Sequence, residues 1–332
     1  MNKRTSSRTK YTRTIPQSDA NMISDPNASH PVALIGLGRM GGNMARRLSR
    51  AGHSVHGYDP QATPEQFANE TGVTLRATLA DTVRALAPPR IIWVMLPAGS
   101  VTEATIGELQ KLLEGGDMIV DGGNANYLDS QARGKALALR GIDFVDCGVS
   151  GGVWGLENGY CLMFGATEAA MQRLQPLAKS LAVSADTGWL HCGPVGAGHF
   201  SKMIHNGVEY GMMQALAEGF ALLKGHQALN LHLAAIAELW RHGSVVRSWL
   251  LDLTAQALKE PDAFESVGPL VADSGEGRWT VEEAIRQGTP APVIAMALMS
   301  RFDSQGRADP GNKLLSLMRK GFGGHATEKV GS

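Results

Sequence analysis

The 332-residue sequence lacks a long apolar segment. Its strongest apolar run, IIWVML at positions 91–96, is far shorter than the ~20 residues that a membrane-spanning helix requires, so we expect no membrane segment. Net charge is absent too, because 31 basic residues balance 31 acidic ones. This balance argues against a protein that binds nucleic acid or an anionic membrane through its overall charge, and any anion must be bound by local cationic clusters.

Cysteine is scarce as well. Cys147, Cys161 and Cys192 are odd in number and widely spaced, which fits neither a disulfide framework nor a zinc knuckle. His, Asp and Glu do not cluster at metal-ligand spacing in the sequence, so we expect no metal site. This cysteine usage indicates a reducing, cytoplasmic setting.

The first thirty residues contain no apolar stretch of the kind that directs secretion. They hold five basic residues before the first acidic one, Asp19, and they are rich in Ser and Thr, which is typical of disordered segments. We therefore predict a disordered N-terminal extension over residues 1–30. An organellar transit peptide has a similar composition and stays open as an alternative.

Beyond this extension the pattern changes abruptly. Residues 31–60 read as a strand, a glycine turn, a helix and a second strand. Further strands are expected at 91–96, 117–123 and 143–152, with segments of helical length between them. This alternation predicts an α/β, Rossmann-type, doubly wound parallel sheet domain over residues 31–195.

Strand signals nearly disappear after this domain. Long helical stretches follow instead, at about 199–224, 231–241, 245–259, 280–287 and 290–302. We therefore predict an all-α domain over residues 196–316, followed by a C-terminal tail at 317–332 whose glycines are typical of a frayed chain end.

Three glycines, Gly36, Gly38 and Gly41, spell GxGxxG between the first strand and the first helix. This spacing permits a tight turn, lets a pyrophosphate approach the backbone and allows helix and strand to pack closely. Asp59 ends the second strand, where its carboxylate can accept hydrogen bonds from ribose hydroxyls or cap the turn before Pro60. Because Asp59 would repel a 2′-phosphate, we expect NAD as cofactor and NADP as second choice. The predicted cofactor contacts are Gly36, Gly38, Arg39, Met40, Gly41, Asp59, Leu96, Pro97 and Asn124.

Residues 201–213, SKMIHNGVEYGMM, place their polar side chains on one stripe of a helix. Lys202, Asn206 and Glu209 lie within about 40° of one another on a helical wheel, and His205 and Tyr210 flank them. The helix becomes apolar all round further on, so we expect it to be buried, with its polar stripe facing a cleft and not bulk solvent. A lysine and a carboxylate held where water is limited shift each other's pKa and are candidates for proton transfer.

Five motifs occur together along the chain: GLGRMGGNM at 36–44, DGGN at 121–124, VSGGVWGLENGYCLM at 149–163, KMIHNGVEYGMMQ at 202–214 and GEGRWT at 275–280. Together they resemble the decarboxylating 6-phosphogluconate dehydrogenases, and most closely their short-chain branch. The resemblance extends over about residues 32–325. It implies a Rossmann-type domain, a helical domain that forms the subunit interface, and an active site between them.

The resemblance also implies a reaction, the oxidative decarboxylation of 6-phosphogluconate to ribulose 5-phosphate and CO₂ in the pentose phosphate pathway. Lys202 would be the general base, Glu209 the proton donor to the enediol, and Asn206 a third catalytic residue. The implied substrate contacts are Asn124, Ser150, Gly151, Gly152, His205, Asn206, Tyr210, Arg278, Thr280, Arg301, Arg319 and His325. The tail that carries Arg319 and His325 would reach a neighbouring subunit, which implies a homodimer or homotetramer.

Two alternative functions remain at this point. A β-hydroxyacid dehydrogenase of the 3-hydroxyisobutyrate type oxidises its substrate without decarboxylation, and Glu209 and the arginine set argue against it. A NAD-binding regulatory protein that has lost catalysis would not need Lys202 and Glu209. We therefore expect a small sugar phosphate as the partner of this chain, and neither nucleic acid nor membrane.

Overall fold

The structure is a computed structural model, and it describes residues 29–260, 262 and 264–323. In this part of the chain one sheet has the strand order β3-β2-β1-β4-β5-β6-β7-β8. The strands are β1 Val32–Ile35, β2 Val55–Tyr58, β3 Val73–Leu75, β4 Ile91–Val94, β5 Met118–Asp121, β6 Asp143–Ser150, β7 Cys161–Gly165 and β8 Trp189–Gly193. Neighbouring strands are parallel except β6 and β7, which are antiparallel. The predicted Rossmann-type class is confirmed, since the first six strands have the 3-2-1-4-5-6 order of that fold.

Twelve α-helices are described. They are α1 Arg39–Arg50, α2 Leu79–Arg84, α3 Ser100–Leu112, α4 Tyr127–Ala138, α5 Gly155–Asn158, α6 Glu168–Leu181, α7 Ala197–Gly225, α8 Leu233–Trp240, α9 Trp249–Ala257, α10 Glu276–Gln287, α11 Pro292–Ser304 and α12 Asp309–Gly323. No helix among the described residues is both long enough and apolar enough to cross a bilayer.

The central strands β1, β4 and β5 are buried on both faces of the sheet, which explains their apolar runs. Val32 and Leu34 of β1 pack in one core with Met44 of α1, whereas Ala33 and Ile35 point to the opposite core. Side chains alternate between the two faces because the strand period is two. Both cores therefore depend on the same short strand.

Helix α7 joins the sheet to the helical part of the chain. Its first turn is capped by the buried Asp146 of β6, whose carboxylate accepts hydrogen bonds from the N–H groups of Gly196 (2.6 Å) and His199 (2.7 Å). Burial raises the pKa of Asp146, and these hydrogen bonds oppose that effect. A Cβ on Gly148 would lie 2.4 Å from the Cβ of Lys202, so the missing side chain lets α7 lie directly against β6.

Several elements differ from the sequence-based expectations. The predicted strands at 91–96, 117–123 and 143–152 correspond to β4, β5 and β6, but β3, β7 and β8 were not foreseen. The helix α12 runs across the predicted start of the tail at residue 317. The predicted N-terminal extension lies outside the described residues except for its last two positions, and His325 lies outside them too.

Candidate active site

A cleft of about 780 Å³ opens between the end of β6 and one face of α7. Its walls include the loop Ser150, Gly151 and Gly152 after β6, and the start of α9 with Trp249 closes another side. The residues that α7 contributes to the lining are Ser201, Lys202, Ile204, His205, Asn206, Val208, Glu209 and Met212. The polar stripe of α7 thus lies on the wall of a cleft.

Lys202 is buried in the wall of this cleft, with 7% of its surface exposed. Its Nζ donates a hydrogen bond to Asn206 Oδ1 at 2.8 Å and lies 3.5 Å from His205 Nδ1. Burial lowers the pKa of Lys202, and the negative charges of Glu209 and Glu276 partly oppose this shift. A lowered pKa enlarges the neutral fraction of the amine, which is the form that can accept a proton.

His205 connects Lys202 to the loop after β6. Its Nε2 lies 3.3 Å from Ser150 Oγ, and its Nδ1 lies 3.1 Å from Asn206 Oδ1. The Glu209 carboxylate is 3.9 Å from His205 Nδ1, and 40% of the Glu209 side chain is exposed. A buried amine and a solvent-accessible carboxyl group therefore share one cleft, as general base and general acid catalysis require.

A second, smaller pocket of about 240 Å³ adjoins this cleft. It lies at the carboxyl ends of β1, β4 and β5 and is lined by Met40, Met95, Leu96, Pro97, Ala98, Gly122, Gly123, Asn124 and Val149. Met40, Asn124 and Val149 also line the larger cleft, so the two spaces share a wall. The pocket sits where the strand order reverses between β1 and β4, which is where dinucleotides bind in doubly wound sheets.

The glycine turn after β1 fits a dinucleotide phosphate. Gly36 has a φ of +87°, and a Cβ on Gly41 would lie 1.9 Å from the Gly36 carbonyl oxygen, so both positions require glycine. A Cβ on Gly38 would meet nothing within 4 Å, which leaves open space beside the backbone at the start of α1. Arg39 begins α1 and is exposed. The N–H groups at this helix start are suited to an anion.

The Asp59 carboxylate is hydrogen-bonded to the backbone of the glycine turn. Its Oδ2 accepts a hydrogen bond from the Leu37 N–H at 2.7 Å, and its Oδ1 accepts one from the Gln61 N–H at 2.8 Å. Asp59 therefore caps the turn at the end of β2. Because each carboxylate oxygen can accept a further hydrogen bond, capping leaves room for ribose binding as well.

Two of the three arginines expected at the phosphate, Arg278 and Arg301, lie around the loop before α10. The Arg301 guanidinium lies 3.4 Å from the Tyr210 ring centroid and donates to the Ala272 carbonyl at 2.6 Å. Arg278 pairs with the buried carboxylate of Asp273. In the part of the chain that the structure describes, none of these residues lines the 780 Å³ cleft.

Asp273 is the acidic residue that forms the ion pair with Arg278, and its carboxylate is also affected by the charge of Arg301. Burial works to raise its pKa, but the hydrogen bond and charge of Arg278, aided by the charge of Arg301, lower it. Thr280, another expected phosphate contact, is 3% exposed, and its hydroxyl lies 2.9 Å from the Met203 carbonyl oxygen. Through this hydrogen bond Thr280 links α10 to α7. Arg319, also expected at the phosphate, lies on α12 and is exposed.

Some residues of the site were not singled out from the sequence. Ser248, Trp249, Leu250 and Leu253 line the cleft, and no local pattern marked them. Glu276 belongs to the GEGRWT motif and is buried beside α7, but the motif alone did not mark it as a site residue. Among the described residues, no group of three or more His, Cys, Asp or Glu could hold a metal ion.

Comparisons with known proteins assign both halves of the chain to one family. Residues 31–191 match the NAD binding domain of 6-phosphogluconate dehydrogenase, and residues 198–329 match the C-terminal domain of 6-phosphogluconate dehydrogenase. A putative 6-phosphogluconate dehydrogenase of Bacillus subtilis is 40% identical over 298 residues, which cover 90% of this chain and 99% of that protein. A NAD⁺-dependent, decarboxylating 6-phosphogluconate dehydrogenase of Haloferax volcanii is 39% identical over 295 residues, covering 89% and 97%.

Solved structures agree with these matches. A 6-phosphogluconate dehydrogenase of Plasmodium falciparum superposes with a TM-score of 0.76 at 26% identity, over 91% of this chain and 67% of that one. A 3-hydroxyisobutyrate dehydrogenase of Mycobacterium tuberculosis, with a TM-score of 0.65 at 23% identity, shares the fold alone. The resemblance inferred from the motifs is confirmed: the chain belongs to the 6-phosphogluconate dehydrogenase family.

Proposed function

We propose that this chain oxidises and decarboxylates 6-phosphogluconate to ribulose 5-phosphate and CO₂, with NAD as the preferred cofactor and NADP as the second choice. The observation that carries the proposal is Lys202, a buried amine with a lowered pKa in a cleft that shares a wall with the dinucleotide pocket. Family membership supports the substrate, since the Haloferax volcanii relative is named as a decarboxylating 6-phosphogluconate dehydrogenase.

Lys202 begins the reaction as the general base. Its neutral Nζ takes the proton of the substrate 3-hydroxyl while the hydrogen on C3 leaves with its electron pair. The nicotinamide of the bound cofactor supplies the acceptor for that hydride. The hydrogen bond from Nζ to Asn206 Oδ1 fixes the direction of the amine, and Asn206 and His205 offer further polar atoms to the sugar hydroxyls.

Decarboxylation then needs no metal, because the new C3 ketone accepts the electron pair of the breaking C1–C2 bond. Negative charge develops on the ketone oxygen, and the protonated Lys202 stabilises it as a hydrogen-bond donor. Glu209 donates a proton to the carbon of the enediol that has lost CO₂, which yields the ketopentose phosphate. The exposure of Glu209 lets it recover a proton from solvent after each turnover.

Substrate binding divides between two groups of residues in this proposal. Ser150 and the backbone of Gly151 and Gly152 bind the carboxylate end, together with Asn124 at the shared wall of the two pockets. Tyr210, Arg278, Arg301 and Thr280, which lie outside the lining of the cleft, are proposed to bind the phosphate end, where arginine suits the planar, bidentate recognition of phosphate oxygens.

We propose further that the enzyme is a homodimer or homotetramer acting in the cytoplasm. In this arrangement Arg319, on the exposed α12, and His325 complete the phosphate site of a neighbouring subunit. The exposed apolar side chains Leu314, Leu315, Leu317 and Met318 of α12 support a partner for this helix.

The test is an assay of the purified protein with 6-phosphogluconate and each cofactor, following reduced nicotinamide and evolved CO₂ together. One CO₂ per reduced nicotinamide, with faster turnover with NAD, is the expected result. Reduced nicotinamide without CO₂ would instead identify a dehydrogenase of the 3-hydroxyisobutyrate type.

Replacing the base gives a sharper version of this test. Lys202→Met should lower kcat by on the order of 10³-fold, within the range for loss of a general base, and leave the Kd for NAD unchanged in a calorimetric titration. Lys179→Met, at an exposed lysine of α6, is the matched control and should keep full activity. Full activity in Lys202→Met would remove this lysine from the chemistry.

A further inference from the structure

Glu276 opens helix α10 on the side that faces α7. Only 3% of its surface is exposed, and its Oε2 has no hydrogen-bond partner among the described residues. Buried carboxylates are normally paired or fully hydrogen-bonded, because leaving a charge unpaired away from water is costly. A capping hydrogen bond does not account for this side chain, because no side chain caps the start of α10.

The packing of α10 fixes where Glu276 lies. One turn further on, Thr280 bonds to the carbonyl of Met203, the residue after Lys202. A Cβ on Gly277 would lie 2.5 Å from the Tyr210 ring, and Tyr210 follows Glu209. Glu276 is thereby held against the segment of α7 that carries both proposed catalytic residues.

Besides burial, the charges of Glu209 on α7, Glu276 on α10 and Cys161 on β7 act on the Lys202 amine. His205 Nδ1, also on α7, lies 3.5 Å from its Nζ. The negative charges of Glu209 and Glu276 favour the protonated amine, whereas burial disfavours it. Glu276 is the more buried of the two carboxylates, so water and salt screen its charge less.

We propose that Glu276 is a positioning residue that acts through Lys202, holding the ammonium form in place after Lys202 has taken the substrate proton. The inference deepens the proposed function and rests on it. Lys202 has two opposite tasks: it must be neutral to accept a proton, and charged to stabilise the developing enolate. Burial serves the first task, and a fixed negative charge serves the second.

Glu209 cannot supply that charge throughout the reaction. When it acts as the proton donor it must carry a proton, and it is then neutral. In this scheme Glu276 makes no contact with the substrate and takes no part in the proton transfers. The exposed carboxyl group of Glu209 transfers the proton, while the buried carboxyl group of Glu276 acts on Lys202 from the neighbouring helix.

The test uses Glu276→Gln, which keeps the shape of the side chain and removes its charge. Removing a nearby carboxylate should lower the pKa of Lys202 further, so the acidic limb of the pH profile of kcat/KM should move to lower pH by about 1 unit. At neutral pH we expect kcat to fall about tenfold, with little change in KM, because the ammonium form is less stable. Glu276→Asp should restore part of both values.

Glu282→Gln, at an exposed position of the same helix, is the matched control and should leave the pH profile in place. A loss of activity in Glu276→Gln with an unmoved acidic limb would assign Glu276 to folding alone, and a limb that moves to higher pH would contradict the inference. Both outcomes are read beside thermal melting curves of each variant, which detect a folding defect independently.

A second measurement does not depend on turnover. The rate of acetylation of Lys202 by acetic anhydride, followed by peptide mass spectrometry across a pH series, reports the pKa of this amine directly. A lower pKa in Glu276→Gln supports the inference even if 6-phosphogluconate is not the substrate, whereas an unchanged pKa overturns it. Failure of the assay for the proposed function leaves this result intact, so the two failures are distinguishable.

Discussion

The two ends of the proposed substrate site are built differently. Around Lys202 the structure is closely packed: Gly148 lets α7 lie against β6, and the amine already donates to Asn206. Around Arg278 the cation is instead paired with a carboxylate of the protein itself, Asp273. The chemical end is arranged in advance, whereas the phosphate end must exchange an internal anion for the anion of the ligand.

Of the changes that test this comparison, the one expected to have the largest effect disturbs the packed end. Gly148→Ala places a Cβ 2.4 Å from the Lys202 Cβ and 3.0 Å from the Gly198 carbonyl oxygen, so α7 must shift. We expect kcat/KM to fall on the order of 10²-fold and the free energy of unfolding to fall by about 1–3 kcal/mol. Enzyme kinetics and urea titration measure the two effects. Gly107→Ala in α3, where a Cβ meets nothing within 4 Å, should leave kcat/KM unchanged and raise the free energy of unfolding by about 0.5–1 kcal/mol, because alanine is the better helix former. Equal behaviour of the two variants would show that the packing at Gly148 is not needed.

A smaller effect of opposite sign is expected at the phosphate end. Asp273→Asn removes the internal charge that neutralises Arg278 and is felt by Arg301. The arginines are then free to bind an external anion, so KM for 6-phosphogluconate should fall about tenfold, with kcat nearly unchanged. Inhibition by inorganic phosphate should strengthen in parallel. Asp303→Asn, at an exposed site on α11, is the control, and a raised KM in Asp273→Asn would show that this carboxylate positions the arginines for binding.

The third prediction of this set concerns the cofactor. Asp59→Ser removes the charge that repels a 2′-phosphate but keeps a hydroxyl near the N–H groups of Leu37 and Gln61. The ratio of kcat/KM for NAD to that for NADP should fall about tenfold. The ratio is measured on the same preparation, with 6-phosphogluconate held at saturation. If the wild-type protein strongly prefers NADP, the role given to Asp59 is wrong.

Much of the fold follows from local sequence periodicity. Strand β1, the glycine turn and α1 are encoded within about twenty residues, and β4 and β5 are short apolar runs, so all of them could be predicted. Strand β6 reads DFVDCGVS and was predicted from its apolar residues despite its two aspartates. Strand β3 has three residues, and β8 reads WLHCG, with a mixed pattern that carries little strand signal. The antiparallel pairing of β7 with β6 is a tertiary arrangement that no periodicity encodes.

The residues of the candidate site also differ in whether local sequence predicts their positions. Lys202, His205, Asn206 and Glu209 lie on one α-helix, so the helical period alone places them together. Glu276 is 74 residues away from Lys202 along the chain and meets α7 through the packing of α10, which leaves no local signal. The pairing of Asp273 with Arg278 likewise depends on how the loop before α10 folds. The GEGRWT motif includes Arg278, but the sequence does not show that Arg278 forms an ion pair with Asp273.

Helix α7 is continuous over 29 residues, and its first turn is anchored to the sheet through Asp146 while its later turns belong to the helical half. The two halves are therefore joined by a continuous helix and not by a flexible linker. Opening the cleft by a hinge at this junction would require α7 to bend beside Lys202. Lys202, the proposed general base, therefore keeps its place relative to the sheet while ligands enter and leave the cleft.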